Sequence, residues 1–310
     1  MRKIAFIFPG QGAQYTGMGR DFYENYNRAK EVFAIAGKVS GMSMEELIFR
    51  ENENLDITKY TQVAMLTVEL AILKVLEENG VTSSVNAGLS LGEYAALTAS
   101  GGLSVRNALE LVVKRGALMQ DAVPTGGAMT AVMGLEASLV EEICGQVEGI
   151  VSVANYNCPG QIVISGEEEA VQEAAGKMKE AGAKRCIPLN VSGPFHSKML
   201  VEAGEKLAEE LEKVEIGELT TPYISNVTAE YVIEKEEVKG LLQQQVSSSV
   251  KWQQTVELMV SEGVDTFIEI GPKKTLSAFL KKIAPKAFSY HVETIKDMEE
   301  LLEALKVDAK

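Results

Sequence analysis

Short apolar runs alternate with helical periodicity along this chain, and that alternation limits the folds open to it. The first run, Ile4–Phe8, is continuously apolar and stops at Pro9-Gly10, as expected for a parallel strand covered on both faces. Residues 59–79 then carry apolar side chains at the spacing of one buried helix face, and Gly80 follows. Pairs of a short apolar run and a helical segment recur up to a last predicted helix at 295–306. We therefore predict an open, mostly parallel sheet flanked by helices, an α/β fold.

The middle of the chain departs from this pattern. A cluster of turn residues, Pro124-Thr125-Gly126-Gly127, precedes predicted elements in the order βαββαβ, which is the ferredoxin-like arrangement. Strand–helix alternation then resumes. We therefore predict a discontinuous main domain of residues 1–125 and 193–310, with a ferredoxin-like small domain, residues 126–192, inserted into it.

Charge and cysteine content exclude several classes of function. The chain has 30 Lys and Arg against 44 Asp and Glu, and the net charge of −14 argues against binding nucleic acid or an anionic membrane surface. No apolar run is long enough to span a membrane, and the apolar start is too short for a secretion signal. Cys144, Cys158 and Cys186 lack disulfide or metal-site spacing, so we expect no metal and a cytoplasmic location.

One motif carries recognisable chemistry. Gly88-Leu89-Ser90-Leu91-Gly92 reads G-x-S-x-G between a predicted strand and a predicted helix. At such a turn the serine Oγ is pushed into the open, and the N–H of Leu91 lies where it can stabilise an oxyanion. The alternative is an ordinary glycine-rich turn with a capping serine.

A serine nucleophile needs a base, and the chain has two histidines, His196 and His291. His196 follows Ser192-Gly193-Pro194-Phe195, a loop at a predicted helix start, and loops of this kind present functional groups. His291 lies in an alternating strand, where we expect its side chain to face solvent. We therefore predict that His196 is the base, with a capping or surface histidine as the alternative.

The loop Phe8-Pro9-Gly10-Gln11-Gly12 follows the first strand at the edge of the sheet where ligands bind in open α/β folds. It lacks the spacing of a dinucleotide or phosphate loop. A second oxyanion donor fits its position, because the serine turn supplies only one. A purely structural tight loop is the alternative.

The two loops and the histidine segment described above belong to a series of short motifs that follow one another in order between Phe8 and Pro272. They are Phe8-Pro9-Gly10-Gln11-Gly12, Gly88-Leu89-Ser90-Leu91-Gly92-Glu93-Tyr94, Lys114-Arg115-Gly116, Met119-Gln120, Asn157-Cys158-Pro159-Gly160-Gln161, Gly193-Pro194-Phe195-His196-Ser197, Gln245 before Val250-Lys251-Trp252, and Glu269-Ile270-Gly271-Pro272. The ordered set resembles the malonyl-CoA:acyl carrier protein transacylase family of bacterial fatty-acid synthesis. The resemblance implies a hydrolase-like α/β domain with a ferredoxin-like insert, the layout that periodicity also predicts.

The resemblance implies a role for each matching residue. Ser90 would attack the thioester and hold the malonyl group as an ester, and His196 would take and return the proton. The backbone carbonyl of Gln245 would orient that histidine, and the N–H groups of Gln11 and Leu91 would form the oxyanion hole.

Arg115 resembles the residue that holds the malonyl carboxylate, although from its own helical context it would be read as a surface arginine beside Lys114. Leu89 departs from the family, which usually has histidine before the nucleophile, and a leucine cannot donate a hydrogen bond to the acyl group. Phe195 resembles the bulky residue of malonyl-selective members and should crowd an α-methyl group. We therefore expect malonyl to be chosen over methylmalonyl.

The expected substrates are malonyl-CoA and a phosphopantetheinylated acyl carrier protein, with no permanently bound cofactor and a monomeric enzyme. A free-standing acyltransferase of a polyketide synthase, a thioester hydrolase and an inactive carrier-binding protein remain alternatives. Because the family's carriers are acidic, a local basic patch must overcome the charge of −14. Candidate patches, each of which could equally be a solvated face, are Lys184-Arg185, Lys198, Lys251 and Lys273-Lys274.

Overall fold

The computed structural model describes residues 2–307, which form two sheets with helices packed on them. The strands are β1 Ile4–Phe8, β2 Val85–Gly88, β3 Gly127–Met133, β4 Val151–Cys158, β5 Gln161–Glu167, β6 Arg185–Pro188, β7 Tyr223–Ile224, β8 Tyr231–Val232, β9 Thr266–Ile270 and β10 Phe288–Val292. The helices are α1 Arg20–Asn25, α2 Asn27–Ser40, α3 Met44–Phe49, α4 Thr58–Glu78, α5 Gly92–Ala99, α6 Val105–Ala122, α7 Ala137–Gly145, α8 Glu168–Glu180, α9 Val201–Leu211, α10 Lys235–Gln245, α11 Trp252–Ser261, α12 Thr275–Ile283 and α13 Ile295–Val307.

The larger sheet has the order β10-β9-β1-β2-β7-β8, and all its pairings are parallel except that of β7 with β8. Phe6 and Phe8 of β1 belong to a core on one face of this sheet, whereas Ala5 and Ile7 belong to a core on the other face. Helices on both faces thus explain why β1 is apolar at every position. The predicted mostly parallel α/β sheet is confirmed.

The smaller sheet has the order β4-β5-β3-β6 with every pairing antiparallel, and the chain order β3-α7-β4-β5-α8-β6 is the predicted ferredoxin-like one. It is hydrogen-bonded to the main body, because Val250 N donates to Ala154 O and Tyr156 N donates to Val250 O. The division into domains at 125/126 and 192/193 itself stays a prediction.

Several predicted boundaries were wrong. The pattern near 20–38 predicts one helix, whereas the structure has two, because Tyr26 is extended (φ −122°, ψ 126°) between them. The helix expected from Phe195 begins only at Val201, after a 3₁₀ turn at Lys198–Leu200. The positive φ of 58° at His196 is incompatible with a helix, so the chain cannot become helical there.

The elements missed from sequence are short or polar, namely α3, β8 and α10. Across residues 2–307, no helix combines the length and the apolar character that crossing a membrane requires. In the parallel pairing of β1 with β2, Phe8 lies opposite Gly88. Both strands therefore end at the same level, and the loops that follow them meet at one edge of the sheet.

Candidate active site

The turn after β2 places Ser90 at this edge. Gly88 ends β2, Ser90 has a left-handed backbone with φ of 54°, and α5 begins at Gly92. A Cβ on Gly88 would lie 1.9 Å from the carbonyl carbon of Gly92, and a Cβ on Gly92 would lie 2.2 Å from the oxygen of Phe8. Both glycines are therefore needed to let the turn close against β1.

His196 lies within hydrogen-bond reach of the serine. Its Nε2 is 2.7 Å from Ser90 Oγ, and its Nδ1 is 2.8 Å from the backbone oxygen of Gln245 at the end of α10. The carbonyl can only accept, so Nδ1 carries the proton and Nε2 is left free to accept the proton of Ser90. A main-chain carbonyl thus occupies the place that a carboxylate takes in a serine–histidine–aspartate triad.

The environment keeps this histidine neutral. Burial and the positive charge of Arg115 lower the pKa of His196 to about 4, and burial is the larger cause. The imidazole is therefore unprotonated at neutral pH and ready to accept a proton.

We expect the reactivity of Ser90 to report this low pKa. The rate of inactivation by a neutral serine-directed sulfonyl fluoride should stay constant on acidification from neutral pH and fall with a midpoint near pH 4, because His196 remains a free base above that value. An ordinary histidine would give a midpoint of about 6.5, and that result would contradict the assignment. Arg115→Met should move the midpoint upward, since it removes the second cause of the shift.

Arg115 projects from α6 into the same cavity and is 1% exposed. Its Nη2 donates to Ser90 Oγ at 3.0 Å and to Gln245 Oε1 at 2.9 Å, and its Nη1 donates to Gln62 Oε1 at 2.7 Å. Tyr94 lies under the guanidinium, 5.6 Å from its central carbon. The hydrogen-bond partners of this buried guanidinium are neutral, so its positive charge stays available to an anionic group beside the serine.

The two predicted oxyanion donors also meet here. Gln11 and Leu91 line the cavity, and within residues 2–307 neither backbone N–H donates to a protein acceptor. The Gln11 side chain is turned away, because its Nε2 donates to Thr58 Oγ1 at 3.0 Å. Two free N–H groups beside a serine can receive a developing negative charge.

The cavity around these groups has a volume of about 240 Å³. Leu89 and Phe195 form part of its wall, and Met119, Met129, Val163 and Phe279 add further apolar surface. The structure thus brings together the residues singled out from sequence: Ser90, His196, Gln245, Arg115, Gln11, Leu91, Leu89 and Phe195.

Sequence reasoning missed three supporting residues. Asn226 accepts from Ser90 N at 2.6 Å and donates to Gly88 O at 2.6 Å, so it ties both sides of the serine turn. Gln62 and Glu93 contact Arg115 and Gln245 respectively. A local signal existed for Asn226, because the sequence predicts a strand over 222–226 and the ends of parallel strands meet at one edge of a sheet.

His291 corrects one expectation. Its side chain is only 4% exposed instead of facing solvent, and its Nε2 lies 2.9 Å from the oxygen of Gly271. Its side chain lies outside the cavity that contains Ser90. Among residues 2–307, no group of three or more His, Cys, Asp or Glu side chains could hold a metal ion, and Cys144, Cys158 and Cys186 are free thiols.

Together the fold and the cavity define an α/β protein in which a serine on a strand–turn–helix junction lies within hydrogen-bond distance of a histidine. The chain belongs to the acyl transferase domain family, whose model matches residues 5–300, and it is an acyltransferase.

Its relatives include the malonyl CoA-acyl carrier protein transacylase of Bacillus subtilis, 44% identical over 99% of this chain and 98% of that protein. The enzyme of the same name from Staphylococcus aureus is 40% identical over 96% and 98%. A crystal structure of that transacylase from Clostridium perfringens is 45% identical with a TM-score of 0.95, over 99% of this chain and 98% of that one. A malonyl-transacylase solved in complex with its type II PKS acyl-carrier protein is 38% identical with a TM-score of 0.94, over 97% and 99%.

Proposed function

We propose that this acyltransferase moves the malonyl group from malonyl-CoA to the phosphopantetheine thiol of an acyl carrier protein in fatty-acid biosynthesis. One observation carries the proposal: Ser90 Oγ lies between a neutral base, His196 Nε2 at 2.7 Å, and a cation, Arg115 Nη2 at 3.0 Å. The base activates the serine, and the cation selects an acyl group that bears a carboxylate.

The reaction is a ping-pong exchange through an ester on Ser90. His196 Nε2 accepts the proton of Ser90 Oγ as the oxygen attacks the thioester carbonyl carbon, and a tetrahedral intermediate forms. When the carbon–sulfur bond breaks, the departing CoA sulfur takes that proton back. The carrier thiol then gives its proton to His196 and attacks the ester, and Ser90 leaves as the free alcohol.

Backbone groups carry the negative charge of each intermediate. Gln11 and Leu91 line the cavity beside Ser90, and we assign their N–H groups to the oxyanion, where a fixed donor is worth about 2.7–4 kcal/mol of barrier. The carbonyl of Gln245 stabilises the imidazolium that forms on His196. A thioester is already activated, so these groups suffice without a bound cofactor.

Arg115 supplies the selection for a dicarboxylic acyl group. A carboxylate on an acyl chain attached to Ser90 comes within reach of the guanidinium, whose planar fork matches it with two hydrogen bonds. Leu89 adds no donor, so the selection depends on Arg115. Phe195 narrows the cavity wall and should exclude an α-methyl group.

The proposal is tested by intact mass spectrometry after incubation with an equimolar mixture of malonyl-, methylmalonyl-, acetyl- and butyryl-CoA. We expect a single adduct, the malonyl ester, on Ser90. Release of free acid without transfer would support the thioester hydrolase instead. Equal loading of methylmalonyl would contradict the role of Phe195, and equal loading of acetyl would contradict that of Arg115.

A polyketide carrier is the second candidate acceptor, because a 38% identical malonyl-transacylase was solved with a type II PKS carrier. Transfer from the loaded enzyme to a fatty-acid carrier and to a polyketide carrier, compared at equal concentration, discriminates the two. We further propose that the enzyme acts as a cytoplasmic monomer, and its three free thiols suit a reducing compartment.

For carrier docking we propose the lysine-rich surface of α12 and its flanks. Residues 273–287 contain five lysines and no acidic residue in a chain of charge −14: Lys273, Lys274, Lys281, Lys282 and Lys286. All five are exposed, while Leu276 and Phe279 of the same helix line the cavity of Ser90. A negatively charged carrier face docked here would place its arm at the cavity.

Charge reversal at Lys281 and Lys282 tests this surface. We expect the Lys281→Glu/Lys282→Glu variant to raise the KM for the carrier about tenfold, because each rim charge acts mainly on encounter. Malonyl-CoA loading should be unchanged. The matched control is Lys30→Glu/Lys38→Glu on α2, which alters net charge equally on exposed lysines remote from the cavity. Equal loss in control and variant, or a loss confined to CoA loading, would refute the surface.

A further inference from the structure

The carboxyl group of Glu93 is fully buried close to Ser90. Glu93 lies in the first turn of α5, three positions after Ser90, and is 0% exposed. Its Oε2 accepts hydrogen bonds from Gln245 Nε2 at 2.5 Å and from Asn226 N at 3.3 Å. Burying a carboxyl group is costly, and Glu93 takes no part in the chemical steps described above. Its position therefore needs a separate explanation.

Gln245 connects this carboxyl group to the reacting residues. Its side-chain Nε2 donates to Glu93 Oε2 and, at 2.9 Å, to the backbone oxygen of Ser90. Its Oε1 accepts from Arg115 Nη2 at 2.9 Å. Its main-chain oxygen accepts from His196 Nδ1 at 2.8 Å. One glutamine thus touches the serine, the arginine and the histidine.

The chemistry of these partners decides which way the amide of Gln245 points. Glu93 Oε2 and Ser90 O are acceptors, so both require the NH₂ end of the amide. Arg115 is a donor and requires the oxygen end. If the amide rotated by half a turn, its NH₂ would face the guanidinium and leave two donors opposed. Ser90 O and Arg115 already favour the observed orientation, and Glu93 supplies a second acceptor that strengthens this preference.

We propose that Glu93 is a positioning residue, which acts through the amide of Gln245 to hold Arg115 Nη2 beside Ser90 Oγ. The inference rests on the proposed function, because it assigns to Glu93 the alignment of the group that selects a carboxylate. Electrostatics agree with the geometry. Burial raises the pKa of Glu93 to about 7, while its hydrogen bonds from Gln245 and Asn226 and the charge of Arg115 act in the opposite direction.

The role predicts an effect on selectivity that a merely structural residue would not have. Without an acceptor at position 93, only Ser90 O still accepts from the NH₂ end of the Gln245 amide, so the amide is held less firmly and Arg115 Nη2 is aligned less well beside Ser90 Oγ. Transfer of malonyl should therefore suffer more than transfer of acetyl, which makes no use of the guanidinium. A loss of general stability would instead lower both transfers together.

The test compares kcat/KM for malonyl-CoA with kcat/KM for acetyl-CoA in four variants. We expect Glu93→Leu, similar in size but without an acceptor, to lower the malonyl-to-acetyl ratio by about tenfold to a hundredfold, the range for a hydrogen bond to a charged group. Glu93→Gln keeps a side-chain carbonyl for Gln245 and should restore most of the ratio. Gln245→Met keeps the main-chain carbonyl that holds His196 and should lower the ratio as Glu93→Leu does.

The double variant Glu93→Leu/Gln245→Met identifies the route of the effect. Because Glu93 acts through Gln245, adding Glu93→Leu to Gln245→Met should lower the ratio no further. An equal fall for both substrates in Glu93→Leu, or an additive fall in the double variant, would overturn the proposal. If Glu93→Leu does not fold, Gln245→Met alone decides, since an unchanged ratio there would also overturn it. Failure of the proposed function is distinguishable, because the wild type would then show no preference for malonyl.

Discussion

Ser90→Ala is expected to abolish acyl-enzyme formation and to lower kcat/KM for malonyl transfer by a factor on the order of 10⁴ to 10⁶. The covalent step requires an oxygen at this place in the turn, and His196 Nε2 has no other serine within hydrogen-bond distance among the described residues. The residual rate enhancement of the variant would come only from substrate binding and from the backbone N–H donors.

The measurement is intact mass after incubation with malonyl-CoA, together with the rate of transfer to the carrier. Ser289→Ala is the matched control, because that serine is exposed on β10. It should load malonyl as the wild type does. A malonyl adduct that persists in Ser90→Ala, on any side chain of the folded protein, would disprove the assignment of the nucleophile.

Arg115→Met should produce the second largest effect. It removes the guanidinium but fills most of its volume, and we expect kcat/KM for malonyl-CoA to fall about 10²- to 10³-fold. That range corresponds to the loss of charge-assisted hydrogen bonds worth about 1.5–3 kcal/mol each. Transfer of acetyl should fall much less, because an acetyl group has no carboxylate to be held.

Competition between malonyl-CoA and acetyl-CoA, followed by the mass of the loaded enzyme, measures this change in preference. Lys114→Ala is the control, since Lys114 precedes Arg115 on α6 but is exposed. It should leave the preference intact. If Arg115→Met lost malonyl transfer without any shift towards acetyl, the guanidinium would be structural and the selection would lie elsewhere.

Local sequence pattern was sufficient to single out Ser90 and His196, which lie 2.7 Å apart in the structure, and their catalytic roles stay a prediction. The strand–turn–helix signature places one serine at the edge of a parallel sheet, and the small number of histidines leaves one in a suitable loop. The bounds of β1 followed for the same reason, because an apolar run ended by Pro9-Gly10 is a local signal.

Arg115 and Glu93 were beyond reach of such reasoning. Arg115 follows Lys114 in an amphipathic helix, and Glu93 looks like an ordinary acidic residue in a first helical turn. Both are buried, at 1% and 0% exposure, by partners more than 100 residues away in the chain, such as Gln245. Hydrophobic periodicity and secondary-structure propensity are local properties of the sequence, so neither can predict such a long-range contact. Only the family resemblance indicated Arg115, and although Glu93 lies in one of the motifs that carry the resemblance, no role followed for it.

The backbone at the two residues proposed to react affects the stability of the protein. Ser90 and His196 both have positive φ, 54° and 58°, although neither is glycine. Each left-handed residue of this kind costs about 1–2 kcal/mol, against a total folding free energy of about 5–15 kcal/mol for a typical domain. The enzyme therefore holds its serine and histidine ready at the expense of a substantial part of its stability.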